Sequence, residues 1–471
     1  MGAALHHSGD LMPGNEFINE SLSTPVLSRY DVVVVGGGAS GLVAAVAAAR
    51  SGARTAVVER SGCLGGTGTA GMVAQWIGFF NGPVRVVGGI GFELTDRVRA
   101  LGGSTGFRRY TLAEASSSPV TITNFPFNPE VLKIAADEIT QEAGVDVYLH
   151  SQVVRPLLGE RRVEGVVIEN ASGRSALRAA MVVDASGDAA IAAASGVPFA
   201  GAEPELRHHR QPCTLVFRMS NVDVKAFRAM PREDKRALAV EGVQQGRLFW
   251  ESLSFCSTPG EKDAICLMSR IPGIDALDAG DLTRAEQNGR QQVKSVVDFL
   301  RERVPGFEAS VLAGIAERVG VRETRRIVGR HTLTESDIVG GVRFADAVAL
   351  GAGPMDLHEA GGTGIALWMP PAPFEIPLAC LLPQEIAGLV VTGRAISATR
   401  EANGGARHMG TAMCLGHAAG VYAALAAAAP AGTEPAAGEV RRVLVEQNAL
   451  VSSDAAVQLA EREAPIEALP A

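Results

Sequence analysis

Four side chains in this chain have the type and setting to hold an anion or move a proton: Arg322, Arg325, His358 and His408. Arg322 and Arg325 lie in Gly320–Arg326 (GVRETRR). In a helix, residues three apart share a face. Two guanidinium groups on that face would clamp a carboxylate or steady a developing enolate. The alternative is a solvated basic face neutralised by Glu323. His358 follows Asp356 and precedes Gly361-Gly362-Thr363-Gly364. That glycine-rich run suits a loop over a pocket, where an imidazole exchanges a proton near neutral pH. The alternative is a surface loop histidine. His408, with Arg407 before it, stands at the start of a long helix of small residues. It would face whatever that helix faces; the alternative is a structural bond to a carbonyl.

These residues need a scaffold, and the chain announces one at Tyr30–Arg60 (YDVVVVGGGASGLVAAVAAARSGARTAVVER). Val32–Val35 is a β-branched run, as expected of a parallel strand covered on both faces. Gly36–Gly41 holds G-x-G-x-x-G. Gly36 allows the tight turn, Gly38 lets a phosphate approach the backbone, and Gly41 lets helix and strand pack closely. Ala39 and Ser40 open a helix, Leu42–Ala49, whose N-terminal N–H groups suit a diphosphate. Thr55–Val58 is the second strand. Glu59, ahead of Arg60, is placed to accept hydrogen bonds from ribose hydroxyls. Strand, turn, helix, strand and acid together read as a dinucleotide site.

Further elements follow. Asn128–Ala143 is a helix with Asn128 as its cap and Pro129 in its first turn. Val145–His150, Gln152–Leu158, Val163–Glu169 and Ser175–Val183 read as a strand and an antiparallel ribbon returning to the parallel sheet. The ribbon ends in Asp184-Ala185-Ser186-Gly187-Asp188, a small-residue turn before a short helix at Ala189–Ala194. Leu389–Thr392 meets Gly393-Arg394 in the same manner. The chain then runs to Gly410, Thr411 and Ala412 at the start of an Ala-rich helix. Its N–H groups would sit against an electron-rich ring and stabilise an anion there.

These segments, in this order, resemble the FAD-dependent oxidoreductases with a glutathione-reductase-like FAD-binding fold, related to the fumarate reductase and thiazole-synthesis flavoproteins. The motifs that carry the resemblance are the glycine turn with Glu59-Arg60, Gly62–Thr67, Val87–Gly89, Asp184–Asp188, Gly320–Arg326, Asp356–His358 and Thr392–Arg394. It spans about Tyr30 to Ala429. It implies FAD as cofactor. It sets Gly66 and Thr67 along the diphosphate and flavin, and Val153 against the adenine. Ala185, Ser186 and Gly187 fall on the diphosphate side, with Gly393 and Arg394 near the ribityl and phosphates. Related families carry an acid where Arg394 stands, which suggests that Arg394 pairs with the pyrophosphate charge.

Composition bounds the rest. At 471 residues, two domains are expected. A net charge of −8 without a dense basic run argues against a nucleic-acid partner, and no membrane span is expected. Cys63, Cys213, Cys256, Cys266, Cys380 and Cys414 form no close pair. They read as isolated reduced thiols of a cytoplasmic protein. No metal site is expected; adjacent His208 and His209 would point apart in a strand.

The expected fold is α/β: a Rossmann-like FAD domain from 29–204 and 386–430, with parallel sheet and antiparallel ribbon. An α+β substrate domain is inserted at 205–385. Residues 1–28 read as a disordered leader and 431–471 as a linker with a terminal helix. The expected activity is hydride transfer between a small polar or anionic organic substrate and flavin, with His408 or His358 as proton carrier. Oxygen, a quinone or a partner protein would accept the electrons. The alternatives are a flavin monooxygenase, an NAD(P)H-fed flavin reductase, or a flavin-binding protein without activity.

Overall fold

Seven strands share one sheet at the centre of the structure, a computed structural model that describes residues 18–112, 120–462 and 469–470. The order across it is Asp146–Tyr148, Thr55–Val58, Val26–Val35, Gly173–Asp184, Val163–Asn170 and Gln152–Leu158, with Leu389–Val391 also paired to Gly173–Asp184. The twelve-residue strand Gly173–Asp184 makes this branching possible. Its first half is the last arm of the antiparallel ribbon, and its final residues pair in parallel with Leu389–Val391. Register brings Val35, Val58, Asp184 and Val391 to one edge, the carboxyl ends of the parallel strands. Ligands of open α/β sheets bind at that edge.

Both faces of the sheet are covered. Val32, Val34 and Val57 pack on the helices Ala39–Arg50 and Met409–Ala428, while Val33, Ala56 and Val58 pack with ribbon residues on the other face. The two helices meet through small residues. A Cβ on Gly416 would lie 2.1 Å from the Ser40 carbonyl oxygen, and one on Gly420 would lie 2.2 Å from that of Ala44. Gly416→Ala is therefore expected to lower stability by roughly 1–3 kcal/mol through overpacking. Gly438→Ala, where a Cβ meets nothing within 4 Å in an exposed helix, should be neutral or stabilising. Thermal unfolding of both variants checks the pair. Met409–Ala428 is the one described helix long and apolar enough to cross a membrane, and most of it is buried inside the protein.

A second sheet is antiparallel, in the order Phe255–Ser257, Asp263–Cys266, Phe217–Ser220, Val311–Ile315. The helix Ala279–Arg303 lays Val293, Val296 and Leu300 into its separate core. Two hairpins complete the walls of the site: Arg108–Leu112 with Val120–Pro126, and Met355–His358 with Ile365–Trp368.

Three expectations need correction. The expected leader does not reach residue 28. Val26 and Ser28 pair in parallel with Ala176 and Leu177, because the long ribbon strand offers a backbone edge beyond the glycine-turn unit; residues 1–17 lie outside the described residues. Arg322 and Arg325 are not helical, since Val321–Arg325 has no regular secondary structure and leads into a short strand at Arg326–Ile327. His358 is not in a loop; it ends a hairpin strand, and the glycine run after it forms the turn. The C-terminal segment 431–471 holds two helices, Ala437–Glu446 and Ser453–Arg462, the first burying Val440 and Leu444.

Candidate functional site

One cavity of about 800 Å³ opens at the carboxyl edge of the sheet and runs on to the two hairpins. Gly36, Gly38, Ala39, Ser40, Glu59, Arg60, Gly66 and Thr67 line its first part. Val153, Ala185, Ser186, Gly187, Gly393, Arg394 and Ala412 line it as well. Arg322, His358 and His408 line the far part.

The glycine turn divides its labour. Gly36 has φ +95, and a Cβ there would lie 2.6 Å from the Ala185 carbonyl oxygen. Gly41 does not line the cavity; its Cβ would lie 1.8 Å from Gly36 O, so it serves packing. Gly38 alone of the three opens on empty space, with nothing within 4 Å of a Cβ. Glu59 is buried and accepts from Gly37 N at 2.8 Å and Ser61 N at 2.9 Å. Each carboxylate oxygen keeps a lone pair for a further donor. Ser40 Oγ and Thr392 Oγ1 lie 2.7 Å apart, joining the turn's helix to the strand that leads to Gly393.

A cation that local sequence did not reveal completes this end. Arg318 stands with Nη1 3.9 Å from Glu59 Oε1, and its Nη2 would be 3.8 Å from a Cβ on Gly66. Burial, then Arg60 nearby, lowers its pKa. An open glycine, a helix N-terminus, two cations and a partly engaged acid fit the diphosphate and ribose of a dinucleotide. Arg394, expected to pair with the pyrophosphate, lines the cavity with its guanidinium already engaged within the protein. Its Nη2 donates to Asp188 at 2.6 Å, Nε to Gly187 O and Nη1 to Val321 O, both at 2.7 Å. Its charge is met within the protein, and it locks two loops together.

The far end is built from buried charge. Asp356 accepts from Arg407 Nη2 at 2.9 Å, and His358 Nε2 lies 3.2 Å from its other oxygen. Burial alone would raise the Asp356 pKa; Arg407 and His358 hold it well below the usual carboxylate range. Arg270 Nη1 lies 3.2 Å from His358 Nδ1, and Nη2 donates to the carbonyls of Glu359 and Gly364. A guanidinium cannot accept, so Nδ1 carries the lone pair and Nε2 the proton that faces Asp356. Burial, then Arg322, lowers the His358 pKa to about 4. Gln211 braces the cluster: its side-chain oxygen accepts from His358 N at 3.0 Å, and its own N–H donates to Glu323 at 2.6 Å.

His408 is buried, with Nε2 2.7 Å from the Pro354 carbonyl. Burial, then Arg407, lowers its pKa to about 4. The ring is thus neutral at pH 7 and protonated on Nε2, which leaves the lone pair on Nδ1. Arg322 sends Nη1 to Pro212 O and to Thr214 Oγ1 at 3.0 Å, and burial lowers its pKa to about 10. Arg325 points elsewhere. Its guanidinium lies 5.1 Å over the Phe199 ring, and Arg325 does not line the cavity. Gly410 and Thr411 also fall outside the lining. The Gly410 N–H is taken by Ile77 O at 3.0 Å, so it is not free for a ring. Thr411 Oγ1 is buried without a partner among the described residues.

The sequence model of a family described as FAD dependent oxidoreductase matches residues 31–440. Over 43 residues the chain is 60% identical to a dihydrolipoyl dehydrogenase of Trypanosoma brucei brucei, a stretch covering 9% of this chain and 9% of that enzyme. Among solved structures it is similar to a geranylgeranyl bacteriochlorophyll reductase-like protein of Thermoplasma acidophilum: 17% identity, TM-score 0.48, 92% of this chain and 91% of that one covered. It is also similar to p-nitrophenol 4-monooxygenase of Pseudomonas putida DLL-E4: 12% identity, TM-score 0.46, coverage 93% and 90%. A third is L-proline dehydrogenase of P. horikoshii: 12% identity, TM-score 0.44, coverage 84% and 93%.

Proposed function

The chain belongs to the FAD dependent oxidoreductase family, and from that premise we propose that it transfers a hydride between a small polar or anionic organic substrate and FAD. The observation that carries the proposal is the continuity of one cavity from Gly38 and Glu59 to Asp356, Arg322 and His408. When bound, FAD supplies a two-electron carrier. The residues of the chain bind, orient and move protons around it.

Gly38 and the helix N-terminus after it receive the diphosphate, and Arg60 and Arg318 offset its charge. Glu59 accepts from ribose with the lone pairs that Gly37 and Ser61 leave. His408 takes the substrate proton on Nδ1 while Nε2 stays on Pro354 O, which fixes the tautomer. His358 has both nitrogens engaged and acts as a positioning residue for Asp356. Arg322 holds the anionic group. Residues 205–385 supply most of this end and form the substrate side, joined by the hairpin that carries Tyr110 and Ile122.

The test is an anaerobic screen of the purified holoenzyme against small acids, alcohols and amines. Bleaching of the visible flavin band by one class, without NAD(P)H, is the expected result. Oxygen uptake that depends on NAD(P)H would overturn it in favour of a monooxygenase or flavin reductase. His408→Gln should keep FAD and lower kcat by about 10²-fold or more, the range of a lost acid–base group.

A further inference from the structure

We infer that the substrate is a monocarboxylate with an apolar, ring-sized body, its carboxylate on Arg322 and its body against Tyr110, Ile122, Trp250, Ile365 and Leu367. This deepens the hydride-transfer reading above and rests on it. The first observation is the hairpin itself. Asp356 pairs opposite Leu367, and His358 opposite Ile365. Directly opposed residues of an antiparallel pair share a face. All four line the cavity, so one face presents a polar row beside an apolar row.

The apolar row continues beyond the hairpin. Ile122 and Leu367 are buried in a small cluster apart from the three main cores, with Tyr110 and Ile365 packed on it. Trp250 closes the far side, its ring centroid 5.6 Å from that of His358. The edges of these packed side chains that line the cavity form an apolar wall, which suits the body of an apolar ligand. A small hydrophilic acid would leave most of it wet.

The polar row sets the charge. Arg270, Arg322 and Arg407 face Asp356 and Glu359, so three cations meet two anions. Arg270 is engaged by His358 Nδ1 and two carbonyls, and Arg407 by Asp356. Arg322 uses only Nη1 within the protein, on Pro212 O and Thr214 Oγ1. Its remaining N–H groups offer a fork that matches one carboxylate. One uncompensated cation calls for a monoanion; at this end of the cavity, among the described residues, Arg270 and Arg407 are already engaged and leave no second cation for another carboxylate.

The holoenzyme is titrated with benzoate, cyclohexanecarboxylate, acetate, succinate and benzyl alcohol, following the flavin difference spectrum. Benzoate and cyclohexanecarboxylate should bind at least tenfold tighter than acetate, succinate or benzyl alcohol. Arg322→Gln should weaken benzoate at least tenfold and leave benzyl alcohol unchanged, and Arg322→Lys should fall between. Trp250→Ala should weaken benzoate more than acetate. Equal binding of acids and alcohol, tightest binding of succinate, or indifference to Arg322→Gln would each overturn the inference. A protein that binds no flavin would instead sink the hydride-transfer reading, and a yellow protein bleached only by neutral or cationic substrates would overturn the inference alone.

Discussion

Gly38→Leu should yield a folded protein that has lost its colour. The backbone at Gly38 has φ −65 and ψ −176, extended geometry open to any residue. A Cβ there meets nothing within 4 Å. A leucine side chain therefore costs the fold little and fills the space that the diphosphate needs. FAD affinity should fall by about 100-fold or more, equivalent to roughly 3 kcal/mol. The unfolding temperature of the FAD-free variant should match that of FAD-free parent. Gly36→Leu and Gly41→Leu form the contrast. At those positions the Cβ strikes backbone, so both should lose the fold together with the cofactor. If Gly38→Leu retained FAD at parental affinity, the diphosphate would not lie over this turn.

The second large effect is acid destabilisation by three buried imidazoles. His358, His408 and His417 each have a pKa lowered from 6.5 to about 4, with burial as the largest cause. Between those values the unfolded chain binds more protons than the folded one. Their contribution is complete above pH 6.5 and is lost as pH falls towards 4. Three rings together correspond to a loss on the order of 5 kcal/mol between pH 7 and pH 5. Denaturant unfolding of the FAD-saturated protein at the two pH values measures it. His417 offers a clean control, because it lies outside the cavity and bonds Gln447, which bonds Ser51. His417→Asn should flatten the pH dependence by about one proton. An unchanged slope would mean that His417 titrates normally in the folded state.

The sheet and glycine turn are legible in the sequence because their signals are local. β-Branched runs, a G-x-G-x-x-G and an acid after the second strand each lie within a few residues of the feature they specify. The far end of the cavity is assembled from residues that sequence sets apart. Arg270 meets His358 across 88 positions, and Gln211 braces it across 147. Neither pairing leaves a local signature. Arg322 and Arg325 mislead for a specific reason: a spacing of three means one face only in a helix, and this segment has no regular secondary structure. The run Gly361–Gly364 is legible as a loop, but that the loop joins two paired strands, with His358 at the end of the first, leaves no local signal.

The contact between the two small-residue helices has a consequence for how this protein is recombined. Gly416 and Gly420 are each opposed most closely by a main-chain carbonyl oxygen of the facing helix, those of Ser40 and Ala44. No substitution on the facing helix can shorten a carbonyl, so a bulkier residue at either glycine has no compensating partner. The ends of the chain are thereby bound to a common inheritance. A chimera that joins the first 60 residues of one relative to the last 70 of another will tolerate divergence in cavity walls and hairpins. It will not tolerate divergence at this seam.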